Sequence, residues 1–192
     1  MATSSQTDAR TRMIESAAAL FREQGIDSTS FSDVLEHSGA PRGSIYHHFP
    51  GGKAQLAEET TRYAGEFIAA GLAAALAEKE PGRALARFAA AWRELLRRSD
   101  YGAGCAILAA TLEGDRLPEV RDAAGAAFRS WQKLLADSLA QHGVPRARAR
   151  SLATLAIAAI EGAVVLARAE RSSAPLERVA GELEALVAAA VE

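Results

Sequence analysis

No stretch of this chain alternates apolar and polar side chains as a half-buried strand must. Its apolar residues return instead at intervals of three and four, and the runs are separated by glycine and proline. This pattern predicts an all-α fold, and 192 residues are enough to bury a core without staples. The single cysteine, Cys105, cannot close an internal bridge and suits a reducing compartment. The start, MATSSQTDARTR, lacks the apolar run of a signal peptide, and the most apolar later segment, 152–169, is interrupted by Glu161 and Arg168. No membrane span is expected, and the chain is assigned to the cytoplasm. Arginine far outnumbers lysine and alanine is abundant, a bias of GC-rich coding that points to a bacterium.

The breaks place about nine helices. The first is expected from near Asp8 to Gly25, with Met13, Ala17, Leu20 and Phe21 on one face and residues 1–7 outside any ordered element. Ser30 followed by Asp33 reads as a capping box that opens a second helix with the stripe Phe31, Val34, Leu35. Gly39 suits a left-handed C-terminal cap, and Pro41 suits the first position of a third helix running from Arg42 to Phe49. Two helices meeting across so short a glycine-containing turn have the spacing of a helix-turn-helix. Pro50, Gly51 and Gly52 end the third helix, and six more are expected at 53–79, 83–98, 104–113, 118–142, 145–171 and 175–191. The expected domains are 1–52, a three-helix head, and 53–192, a larger helical remainder.

The head carries the chemistry. At about 100° per residue, Arg42, Gly43, Tyr46 and His47 share one side of the third helix, while Ile45 and His48 fall on another, with Phe49 near the boundary. The formal net charge of −2 means that any nucleic-acid reading must be local. Locally the balance is favourable: no Asp or Glu occurs from Gly39 to Gln55, whereas Arg42 and Lys53 are cationic. A short helix offering a guanidinium, a phenol and an imidazole suits the major groove of duplex DNA. Tyr46 either reads DNA or packs in part against the fold, and His48 is assigned to the core or to a helix end. His47 and His48 lie on different faces with no Cys or Asp to complete a zinc spacing, so no metal site is expected.

The run TSFSDVLEHSGAPRGSIYHHFPGGKAQL, Thr29–Leu56, resembles the DNA-binding head of TetR-family transcriptional repressors, and APRGSIYHHFPGGK is particularly similar to the LmrA/YxaF-like branch, as is GCAILAATLEGD further on. The resemblance implies that Arg42, Gly43, Ser44, Tyr46 and His47 meet bases or phosphates, with Thr29, Ser30 and Lys53 on phosphates. Ala40 and Pro41 stand where many relatives have Val and Ser, so the usual hydroxyl cap of the third helix is missing. The resemblance also implies a helical ligand-binding and dimerisation domain after the head. Phe67, Phe88, Trp92, Tyr101, Cys105, Phe128 and Trp131 are the candidates for lining a cavity for a flat or apolar small molecule, the alternative for each ring being a place in the core. Cys105 opens a helix, where it could sense oxidants, but a small buried apolar role is favoured.

LATLAIAAIEGAVVLARA is apolar nearly all round and rich in small residues. With the last helix it is expected to pair with a second copy in a two-fold four-helix interface, as in the family, through Ile157, Ile160, Glu161, Val164, Leu183, Leu186 and Val187. Glu161 is assigned to an ion pair with Arg168 or Arg171 across the dyad, with a polar anchor in the pocket as the alternative. No nucleophile beside a base, phosphate loop or paired carboxylate marks an enzyme, and no cofactor is expected. The expectation is a homodimeric repressor released from a palindromic DNA operator by a small molecule. Its rival is a helical interaction protein whose head no longer binds DNA.

Overall fold

The computed structural model describes residues 2–77, 80–113 and 116–191. Among these residues it is all-helical, with nine helices in the order α1 (Ala2–Gln24), α2 (Phe31–Ser38), α3 (Ser44–His48), α4 (Gly52–Leu76), α5 (Pro81–Arg98), α6 (Ala106–Leu112), α7 (Pro118–Gln141), α8 (Arg146–Glu170) and α9 (Ala174–Val191). The chain divides into two compact units, Met1–Glu66 with Cys105–Ala126, and Phe67–Gly104 with Ala127–Glu192. The α1 helix begins at Ala2 rather than near Asp8, since nothing before Asp8 is a glycine or proline that would break it.

In the first unit α1 packs against α2, α3 and α6. Met13, Ala17 and Phe21 of α1, Val34 of α2, Ile45 and Phe49 at α3, and Leu56 of α4 are all buried. Local chemistry explains the boundaries. The Gly25 N–H donates to the Phe21 carbonyl at 3.0 Å and closes α1. At α2 the capping box is complete: the Asp33 N–H donates to Ser30 Oγ at 3.2 Å, and the Ser30 N–H donates to Asp33 Oδ2 at 2.7 Å. Gly39 takes the left-handed conformation, φ 64°, and ends α2 as expected.

The start of α3 differs from the sequence expectation. Pro41 does not open the helix. The Ser44 N–H donates to the Pro41 carbonyl at 3.1 Å, closing a tight turn with Gly43 at φ 87°, ψ −18°, and the helix begins only at Ser44. Those angles fit the third residue of a type II turn, which glycine alone enters without strain.

In the second unit α5 packs extensively on α9, and α8 packs on both. The α8 helix is long and apolar enough to cross a membrane, with a mean hydropathy of 1.8 in its most apolar window. Here it lies among other helices, with Leu152, Ala153, Ala156, Ile157, Ile160, Ala163, Val164 and Ala167 buried.

Candidate nucleic-acid interface

The turn and α3 present one continuous exposed face. Arg42, Gly43, Tyr46 and His47 are all exposed, whereas Ile45 and Phe49 are fully buried and His48 is half-buried. Burial, followed by the nearby charges of His47 and Arg10, pushes the His48 imidazole below its ordinary value, which favours the neutral ring. The Tyr46 ring meets Phe31 edge-on with centroids 5.5 Å apart, yet remains 68 % exposed. Packing therefore orients the ring, and most of its surface remains open to a partner.

Two supports fix the far end of α3. Arg10 of α1 lies over the Phe49 ring, 5.2 Å from its centroid, and pairs with Glu59 of α4. Glu59 also accepts from Gln55 Nε2 at 2.9 Å, and Gln55 Oε1 in turn accepts from the Gly51 N–H at 2.8 Å. The turn between α3 and α4 is thus tied to α1.

The hydroxyls expected to meet phosphate separate into two kinds. Thr29 is buried, and its hydroxyl donates to the Gly25 carbonyl at 2.7 Å, so its one proton is committed inside the fold. Ser44 likewise donates to the Pro41 carbonyl at 2.7 Å. Ser30 is exposed, and its oxygen accepts from the Asp33 N–H. Lys53 at the start of α4 donates to the Asp27 carbonyl at 2.9 Å, using one of three ammonium donors. The Asp33 carboxyl is held below the ordinary range by the Ser30 N–H first, then the Ser30 hydroxyl, with a smaller contribution from the Lys53 charge. Sequence reasoning did not single out Glu113, whose carboxylate is bonded to the backbone between α1 and α2.

The expected ligand-binding residues are differently placed. Phe88 and Trp92 are buried and meet edge-on at 6.5 Å, as Phe128 and buried Trp131 do at 5.1 Å. Phe67 is 70 % exposed, Tyr101 is half-buried with φ 60°, and Cys105 is buried in the first unit. A cavity of about 720 Å³ opens elsewhere in the second unit, walled by Arg129, Gln132, Lys133, Arg146, Arg150 and Thr154 among others, with none of the expected aromatics on its wall.

The expected dimer-interface residues lie mostly inside the protomer. Ile157, Ile160, Val164, Leu183 and Val187 are buried inside the protomer, and Glu161 and Leu186 are half-buried. The exposed apolar residues of α8 are Leu155, Val165 and Leu166, with Ala158, Gly162 and Ala169 beside them, and α9 exposes Gly181, Ala185, Ala188 and Val191. A helix apolar on every side carries no periodic signal saying which face meets its own core.

Residues 13–60 match the model of the tetR family of bacterial regulatory proteins, and residues 81–182 match that of the LmrA/YxaF-like transcriptional regulator C-terminal domain. An uncharacterized HTH-type transcriptional regulator of Mycobacterium tuberculosis is 43 % identical over 187 residues, 94 % of each chain. The HTH-type transcriptional regulator LmrA of Bacillus subtilis is 32 % identical over 88 % of this chain and 91 % of its own. A solved TetR transcriptional regulator from Chloroflexus aurantiacus superposes with a TM-score of 0.80 at 31 % identity, covering 96 % of both chains.

Proposed function

The chain belongs to the TetR family of bacterial transcriptional regulators, in its LmrA/YxaF-like branch, and from that premise we propose that it is a homodimeric, cytoplasmic repressor released from a palindromic operator by a small molecule. The observation that carries the DNA-binding part is the exposed face of Arg42, Tyr46 and His47, free of acids from Gly39 to Gln55 and backed by buried Ile45 and Phe49. In this reading residues 1–52 bind DNA and 53–192 sense and dimerise. Arg42, Tyr46 and His47 enter the major groove, where Gly43 lets the backbone approach closely, while Ser30 and Lys53 hold phosphates. Thr29 and Ser44 shape the turns from which these residues project.

The exposed α8 and α9 faces support self-association. Gly162 and Gly181 sit within helices, and a Cβ at either would meet nothing within 4 Å. Each costs about 0.5–1 kcal/mol of helix stability relative to alanine, and no close packing among the described residues accounts for it. A second copy packed closely against the glycines does. Pairing would set two α3 helices about 34 Å apart, one DNA turn. A ligand favouring a conformation with another spacing would weaken DNA binding by the same coupling free energy that DNA exerts on the ligand.

The test is selection of bound fragments from the source genome, followed by titration of the recovered duplex. A palindrome bound by the wild type at low salt and released progressively as salt rises supports the reading. A purified protein that ignores every duplex at low salt refutes it and leaves the helical interaction protein.

A further inference from the structure

Glu113 follows the last turn of α6, where a helix's unpaired carbonyls disfavour a carboxylate. Each of its oxygens nevertheless has a backbone partner. The Ile26 N–H donates to Oε1 at 3.0 Å, and the Asp27 N–H donates to Oε2 at 2.6 Å. Room for the carboxylate exists because residue 25 is glycine: a Cβ there would stand 2.5 Å from Oε1. Arg116 reaches the Asp27 carboxylate at 3.3 Å and offsets the second negative charge.

The segment so held has two outputs. The Gly25 carbonyl takes the Thr29 hydroxyl at 2.7 Å, one residue before the Ser30 cap of α2. The Asp27 carbonyl takes Lys53 Nζ at 2.9 Å. We propose that Glu113 is a positioning residue for DNA binding: it fixes the Ile26–Asp27 backbone and, through the Asp27 carbonyl, holds the Lys53 ammonium where it meets a phosphate. The inference rests on the reading of Lys53 as a phosphate contact. A carboxylate matches two amide donors with two acceptors. Glutamine offers one acceptor and turns an NH2 group against the other N–H.

The test uses a labelled random-sequence duplex of about 24 base pairs, titrated by fluorescence anisotropy between about 50 and 200 mM KCl. Four full-length proteins are compared: wild type, Glu113→Gln, Lys53→Ala and the double variant. Lys53 occurs once in each head, so a dimer bound through both heads loses two phosphate contacts: the salt slope falls by about 1.8, which is about 220-fold in affinity at about 50 mM and about 18-fold at about 200 mM. Lys53→Ala is expected to show this loss in full and Glu113→Gln a part of it. The double variant is expected to bind as Lys53→Ala does, because the residue on which Glu113 acts is already gone. If Glu113→Gln weakens binding equally in both backgrounds, Glu113 acts by general loss of structure and the inference is overturned. Wild-type affinity and slope in Glu113→Gln overturn it as well. An unchanged slope in Lys53→Ala removes the phosphate contact itself, and the inference with it. Should Glu113→Gln not fold, Glu113→Asp, which keeps the charge but loses reach, goes through the same cycle with the same criteria.

Discussion

Leu166 and Val164 are two residues apart on α8, and truncating them should have opposite consequences. Leu166 is 52 % exposed in the protomer and Val164 is 0 % exposed. Leucine to alanine removes three carbons, about 2.4 kcal/mol of burial at about 0.8 per methylene. About half of that surface still awaits a partner, so covering it contributes about 1.2 kcal/mol per copy. In a two-fold interface the residue occurs twice, giving about 2.4 kcal/mol per dimer, or about fiftyfold in the dimer dissociation constant for Leu166→Ala. Val164→Ala instead opens a cavity in the protomer and should cost about 2–3 kcal/mol of folding stability with the dissociation constant unchanged. A dilution series by sedimentation velocity, paired with denaturant melts, reads both quantities. An undisturbed dimer in Leu166→Ala, or dissociation without loss of stability in Val164→Ala, would return the interface to the buried face and refute the assignment.

Arg42→Ala should weaken binding to the selected operator by about 1–3 kcal/mol and leave the dimer intact, as measured by anisotropy and sedimentation. Thr29→Val is expected to lower melting stability by about 1 kcal/mol through loss of its bond to Gly25, with an unchanged salt slope; a shallower slope would restore it as a phosphate contact. Because the folded Asp33 carboxyl lies below its ordinary value of 3.8, the capping box contributes fully above that pH. The contribution is lost as pH falls through the depressed folded value. Ser30→Ala should cost about 1 kcal/mol of stability but only shrink that acid-side slope, because the backbone N–H of residue 30 still reaches the carboxylate, whereas Asp33→Asn should abolish the slope, both seen in melts from pH 6 to 2.

The features legible in sequence are those decided within a few residues. Ser30 and Asp33 are three apart, and Gly39 caps α2 through its own φ, so both could be read from local chemistry. Pro41 has the right chemistry for a first helical residue, but Gly43 enters the left-handed region at no steric cost, and the turn closed by Ser44 competes successfully with an earlier helix start. On α8 the sequence establishes burial without direction, so the outward set Leu155, Val165 and Leu166 emerges only once α5 and α9 have taken the other side. Glu113 is 86 residues from Asp27 in the chain, and no spacing rule connects a carboxylate with an amide so distant.

The charge of the head ties DNA binding to pairing. Arg42 and Lys53 are the permanently cationic side chains from Gly39 to Gln55, so one head that neutralises two phosphates has a salt slope of about 1.8, and a dimer engaging both heads about 3.6. At about 100 mM salt the second pair of contacts multiplies affinity by roughly sixtyfold. A head of so little charge on a chain of net −2 therefore depends on its copy. A variant made monomeric at Leu155 and Leu166 should retain folded heads and show about half the wild-type slope on the selected operator. Equal slopes in the two proteins would mean that each head meets DNA alone and that the two-fold arrangement has no part in recognition.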